Sequence, residues 1–266
     1  MFNWVNWFQG MAVTAALVQA EPSAEVTFIA PKTVSAGAPS QICLEATPRE
    51  SFHLYYVNPG ETGKPMSLEW EGIPKGITIG ELQFPVPHRI PTGSLHTNGY
   101  EEVTRFFSSV SVDSSVKPGT YPITAKASWL ACDDEKCVLD KKELQLDLQV
   151  VDAAEEAPEV SFGKSLQLIP LPVGSDWQTK VSKNENEWSI RLTAPEGWEA
   201  PKEKTLDVFS ETVDLFEPGA VPKIESSEGQ LIVQVPASKY SKDLSEARIV
   251  LVGPTPPLRF SISLPK

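Results

Sequence analysis

Apolar and polar residues alternate along much of the chain after Ala20. Tyr121, Ile123, Ala125, Ala127 and Trp129 are separated by Pro122, Thr124, Lys126 and Ser128, the period of a strand that lays one face on a core. Leu144, Leu146, Leu148 and Val150 repeat the pattern, with Gln145, Asp147 and Gln149 directed outward. Shorter runs at 26–29, 42–46, 52–57, 67–70 and 110–112 predict further strands. The turn formers Asn58-Pro59-Gly60, Gly72-Ile73-Pro74 and Lys117-Pro118-Gly119 lie between them. Residues 152–158 carry no buried-face pattern and read as a linker. Strand patterns then resume. Trp188, Ile190 and Leu192 alternate, as do Leu231, Val233 and Val235, followed by apolar runs at 249–252 and at Phe260, Ile262 and Leu264. Short strands parted by Gly and Pro predict an all-β chain of sandwiches. The expected organisation is a leader over residues 1–20, one β-sandwich domain over 21–152 and a second over 153–266.

Composition narrows the picture. Hydrophobic residues make up 41% and charged residues 22%, the balance of a chain that buries a core. The 24 prolines would break helices repeatedly. A net charge of −12 with no Lys/Arg cluster argues against nucleic acid as a partner, because binding needs a basic face to displace counterions. Residues 1–20 contain no charged side chain, hold an apolar stretch at 11–18 and end Val18-Gln19-Ala20. That ending resembles a signal-peptidase site, although the usual Lys or Arg near the start is missing. The stretch falls short of the ~20 residues of a spanning helix, and no later segment reaches that length. The mature protein is therefore expected to be exported, soluble and without a membrane span, in a compartment where disulfides persist.

The candidate chemistry lies in three cysteines. Cys132 and Cys137 enclose Asp133-Asp134-Glu135-Lys136 between one strand signal ending near Leu130 and another starting near Val138. The two thiols are thus expected to flank the loop of a β-hairpin. Opposed residues there have Cβ atoms about 4.5–5.5 Å apart and a disulfide prefers about 3.8 Å, so bridging is feasible. As a staple, closing six residues supplies roughly 2 kcal/mol, against about 4.7 for a 100-residue loop. As a redox pair, the bridge would exchange with a partner. The spacing alone leaves both roles open. Copper(I) could take two thiolates and an imidazole, but His53, His88 and His96 are scattered upstream and a zinc knuckle needs four ligands at tighter spacing. No metal and no other cofactor is expected. The loop carboxylates, opposed by Lys136 alone, disfavour thiolate formation, which suits a relay attacked by a partner's activated Cys. Cys43 lies on the strand face opposite Ile42 and Leu44 and reads as a packing residue. Trp177, Trp188 and Trp198 read as core or rim anchors. No hydrolase or phosphate-loop motif accompanies them.

Four motifs then carry a resemblance. They are the run from His53 through Tyr55-Tyr56-Val57-Asn58-Pro59-Gly60 to Gly63 and Pro65, the segment Phe84-Pro85-Val86-Pro87-His88-Arg89, the tetrapeptide Asn98-Gly99-Tyr100-Glu101, and the run from Trp129 to Cys132 and Cys137. In order and spacing they resemble the N-terminal periplasmic domain of the DsbD thiol:disulfide interchange family, in the branch that includes the copper-sensitivity suppressor ScsB proteins. The resemblance covers about residues 25–150. More weakly, residues 209–222 and Ile249-Val250-Leu251-Val252-Gly253 resemble the second β-domain of that branch.

The resemblance implies immunoglobulin-like β-sandwiches and a Cys pair that takes electrons from a DsbD-type transmembrane donor. The pair passes them to thioredoxin-like periplasmic proteins that repair disulfides, mature cytochrome c or resist copper stress. Carried over, Cys132 and Cys137 are the catalytic pair, with Cys137 meeting the partner. Leu95, His96, Thr97, Asn98, Gly99 and Tyr100 match a cap loop that shields the pair until a partner docks. In that position His96 either raises the thiolate population or stays solvated, and the alternative to a cap is a polar turn with Gly99 at positive φ. Val138-Leu139 departs from the proline-containing sequence usual after the second Cys. The family's membrane and thioredoxin-like domains are absent from the 266 residues, so electrons are expected from a separate protein. The alternative functions are a noncatalytic β-sandwich binding or assembly module with a structural disulfide, and a Cu(I)-binding module.

Overall fold

A computed structural model of the protein describes residues 21–29, 33–92, 95–152, 162–202, 205–227 and 229–265. The expected leader over 1–20 and most of the expected linker lie outside these residues. The alternating segments become antiparallel strands packed as two sandwiches, and no α-helix occurs among the described residues.

In the first sandwich one sheet has the order β1 (Ala24–Ile29), β3 (Ser40–Pro48), β9 (Thr104–Val112), β6 (Ile77–Ile79). The facing sheet runs β2 (Thr33–Ser35), β11 (Cys137–Val151), β10 (Gly119–Cys132), β4 (His53–Gly60), β8 (Leu95–Tyr100), β7 (His88–Thr92), with β5 (Ser67–Glu71) also paired to β10. Val26, Leu44 and Phe106 from one sheet meet Leu54, Trp129 and Leu146 from the other in a common core. β10 and β11 form a long hairpin in unbroken register from Gly119↔Val150 to Cys132↔Cys137. Its alternation buries Ile123, Ala125, Ala127, Trp129 and Ala131. Asn58-Pro59-Gly60, expected as a turn, instead continues β4, with a register shift between Tyr55 and Gly60 where it pairs with β8. Gly60, at φ +89°, supplies the left-handed backbone of that irregularity.

The second sandwich pairs the sheet β12 (Leu171–Pro172), β19 (Leu258–Ser263), β18 (Glu246–Val252), β15 (Asp207–Ser210) with the sheet β13 (Gln178–Asn184), β14 (Glu187–Thr193), β17 (Gln230–Pro236), β16 (Lys223–Ser227). Trp188 is buried and its indole N–H donates to the Leu215 carbonyl at 2.8 Å. Trp177 packs edge-on against Trp198 and Phe260 at 5.0 and 5.1 Å between centroids. These three tryptophans are anchors of the second core.

The two sandwiches share an interface. Arg89 pairs with Asp207, donates to the Val208 carbonyl at 3.3 Å and lies 4.3 Å over the Phe209 ring. Phe209 itself packs into the first core. Asn58 donates its amide to the Thr212 carbonyl at 3.1 Å, and Glu211, buried, is held by Arg259 at 2.8 Å. A 3-10 turn at Gly163–Leu168 brings Phe162 and Ile169 onto the outer face of β3 and β9, where they cover Cys43 and Phe107.

Candidate functional site

The ladder of β10 and β11 carries Cys132 and Cys137 to directly opposed positions, with Cα atoms 4.0 Å apart, and they are joined as a disulfide. The hairpin expected from the sequence is therefore present with its thiols flanking the loop. Beyond the bridge the Asp133 N–H donates to the Lys136 carbonyl at 3.0 Å. The Asp133 carboxylate turns back to accept the N–H groups of Glu135 and Lys136, both at 2.8 Å. This is an Asx-type turn, and those two backbone donors hold the Asp133 carboxyl below its usual range. The loop thus closes on two tip residues, Asp134 and Glu135, and fixes the bridge at the end of the sheet.

The two cysteines differ in access. Cys132 is 2% exposed, whereas Cys137 is exposed. Both point to the outer face of the sheet, opposite the inward Ala131. Leu139, two residues beyond Cys137 on the same face, is 53% exposed and pairs with Leu130. An apolar patch therefore borders the accessible half of the bridge.

On the other side of β10, Cys132 pairs with His53 of β4, as Ala131 pairs with Leu54. Directly opposed residues in an antiparallel pair share a face with Cβ atoms about 5 Å apart, so the imidazole stands beside the buried half of the bridge. His53 is buried. Its Nε2 lies 3.1 Å from the Tyr55 hydroxyl, and the two rings meet edge-on at 5.0 Å. Burial pushes His53 below its ordinary pKa, outweighing the opposing effect of Glu101, Asp134 and Asp133, and burial raises the Tyr55 phenol. The segment after β4 covers Tyr55. Gly63 sits so close over the ring that an added Cβ would come within 2.2 Å of Tyr55 Cδ1, and its φ is +121°.

The stretch expected as a cap loop is a strand instead. Leu95–Tyr100 forms β8, paired along its length with β7 on one edge and, with a register shift, with β4 on the other. The side chain of Leu95 lies outside what the structure describes. His96 is exposed and lies toward the second sandwich, against Gly219, with its N–H 3.4 Å from the Glu61 carboxylate. Asn98 donates to the Asn58 carbonyl at 3.1 Å. Gly99 is not among the residues with positive φ. It is required because a Cβ there would fall 2.1 Å from the Leu54 carbonyl oxygen. Tyr100 is buried, donates to the Pro85 carbonyl at 2.7 Å and packs edge-on against Phe106 at 5.5 Å. The histidine beside the bridge is His53 rather than His96.

Cys43 is free and buried in the cluster under Phe162 and Ile169, and burial pushes its thiol up to about 12. No group of three or more His, Cys, Asp or Glu that could hold a metal ion occurs among the described residues. No helix among them is long and apolar enough to cross a membrane.

Residues 19–149 match the family described as "Thiol:disulfide interchange protein DsbD, N-terminal". Among solved structures, the N-terminal periplasmic domain of ScsB from Proteus mirabilis is similar over 92% of this chain and 95% of its own, at 17% identity and a TM-score of 0.63. That likeness spans both sandwiches and establishes the shared fold. A protein of unknown function from Porphyromonas gingivalis W83 aligns over 92% of this chain and all of its own at 12% identity, with a TM-score of only 0.25. None of the curated proteins compared matches the chain.

Proposed function

Because residues 19–149 belong to the DsbD N-terminal family of thiol:disulfide interchange proteins, we propose that this protein is a periplasmic thiol–disulfide exchange protein that relays electrons through the Cys132/Cys137 pair. Residues 1–20 serve as its export signal, residues 21–152 as the redox sandwich and residues 153–266 as a companion sandwich. Its donor is a DsbD-type membrane protein or a soluble thiol protein, and its acceptors are thioredoxin-like envelope proteins, with disulfide repair, cytochrome c maturation and copper tolerance as outlets.

The observation that carries this reading is the position of the bridge. It lies at a hairpin tip with one cysteine exposed and the other buried, and a loop this short gives little stability in return. In the accepting direction, a partner thiolate attacks Sγ of Cys137, the accessible half. A partner–Cys137 bond forms, the bond between Cys132 and Cys137 breaks, and its electron pair leaves on Cys132 Sγ. A second partner thiolate then attacks the partner sulfur of this mixed disulfide, which frees Cys137 and leaves the pair reduced and the partner oxidised. Donation to an acceptor disulfide is the reverse sequence. Leu130 and Leu139 supply the apolar rim against which the partner seats.

Titration of the bridge against glutathione tests the reading. Exchange requires a potential near −200 to −270 mV, and a value below about −300 mV identifies an inert staple.

A further inference from the structure

Opening the bridge leaves charge in an unfavourable place. Cys132 is 2% exposed, and three carboxylates, Glu101, Asp133 and Asp134, act on His53, the residue directly opposed to it in the ladder. A bare thiolate there is opposed both by desolvation and by like charge. The groups that face this position are few and come from each neighbouring element. Tyr55 lies on the same strand as His53, Cys132 on β10, Asp133 and Asp134 in the hairpin turn, and Glu101 just after β8. Among these His53 alone has an ordinary pKa between pH 5 and 8. It is directly opposed to Cys132 in the ladder and anchored at Nε2 by the Tyr55 hydroxyl. Gly63 closes over Tyr55 from outside, so the pair of rings is held between the sheet and the segment that follows β4.

We propose that His53 is the positioning residue for the proton that accompanies opening of the bridge, held beside Cys132 so that this sulfur can depart as the leaving group. The inference rests on the exchange reading above and deepens it. In the bridged state burial favours the neutral imidazole. When an incoming thiolate forms its bond to Cys137 Sγ, the electron pair of the old S–S bond passes to Cys132 Sγ. One proton from water is then taken up by the imidazole, giving an imidazolium beside a thiolate. When the bridge re-forms, Cys132 Sγ expels the partner thiolate from Cys137 and the same proton returns to water. By linkage, a protonated His53 favours the opened form to the same extent that the opened form favours protonation. The Tyr55 hydroxyl keeps the ring oriented, and the carboxylates favour the imidazolium once the neighbouring sulfur is charged.

Opening of the bridge by glutathione, with rates corrected to the glutathione thiolate, tests this between pH 5 and 8. The corrected rate constant of the wild-type protein should rise about three- to tenfold as the pH falls, the effect of a leaving thiol made more acidic by a neighbouring imidazolium. His53→Gln should be slower at pH 5 and flat across the range. A flat wild-type profile, or the same rise in wild type and His53→Gln, overturns the proposal. Should His53→Gln fail to fold, the ring protons of His53 in the wild-type protein decide the matter by NMR. The titration midpoint must be higher with Cys137 blocked as a methyl disulfide and Cys132 free than in the bridged protein, and equal midpoints overturn the proposal. Both measurements use a small thiol, so they stand whether or not a protein partner exchanges with the bridge. Failure of protein exchange alone counts against the relay and not against His53.

Discussion

Reduction of the Cys132–Cys137 bridge by dithiothreitol is expected to leave the first sandwich folded. The bridge spans a sequence separation of 5, and a closed loop of that size removes only about 2 kcal/mol of conformational freedom from the unfolded chain. That figure is an upper limit for this hairpin. The register pairs continue without a break from Cys132↔Cys137 to Gly119↔Val150, and the tip is held independently by the Asp133 carboxylate and the Asp133–Lys136 backbone bond. Trp129, Ala131 and Leu54 remain packed in the core whichever state the sulfurs are in. For a sandwich of this size, 2 kcal/mol lowers the melting temperature by roughly 10 °C or less. Near-ultraviolet circular dichroism and urea denaturation, followed with and without dithiothreitol, measure the change, and Cys43 adds nothing to it because its thiol is free in both states. A loss above about 5 kcal/mol, or collapse of the aromatic signal on reduction, would instead identify the bridge as a structural staple.

Two further outcomes follow from the same geometry. Cys43, buried under Phe162 and Ile169 with its thiol pushed up to about 12, should resist maleimide labelling in the reduced native protein at pH 8, so that mass spectrometry finds it modified only after denaturant is added. Asp133 accepts its two backbone N–H bonds more strongly when ionised, and those bonds hold its carboxyl below the usual range. The part of the order at the tip that depends on this charge is therefore fully present above about pH 4, the ordinary carboxyl value, and is lost as the pH falls through the lower folded-state value. Amide exchange at Glu135 and Lys136 should show this acid limb, and Asp133→Ala should exchange faster at every pH.

What could be read in advance was what is local. The alternation at Tyr121–Trp129 and Leu144–Val150 is a period-2 signal within each strand, and the short acidic loop joins neighbours, so the hairpin and its opposed cysteines emerge without knowledge of the rest of the fold. β8 escaped because its buried positions include Thr97 and Gly99, which carry no apolar period. The strand exists because β4 and β7 flank it. His53 escaped for a related reason. Its neighbour Cys132 is far away in sequence, and only the register of β4 on β10 brings them together. Asn58 and Arg89 stood out within the motifs, yet their partners Thr212 and Asp207 lie in the second sandwich, a contact that no pattern within either half encodes.

The relay is tested most directly by mixing single-cysteine variants of the pair with a thioredoxin-like periplasmic protein that keeps only its exposed active-site cysteine, carried as a mixed disulfide with thionitrobenzoate so that the leaving thiol departs, and separating the products without reductant. Cys132→Ser, which keeps the exposed thiol and lacks the one that resolves it, should accumulate a covalent adduct that disappears with dithiothreitol. Cys137→Ser, left with only the buried thiol, should form none. Absence of an adduct from both variants, or an adduct from Cys137→Ser alone, would contradict the account.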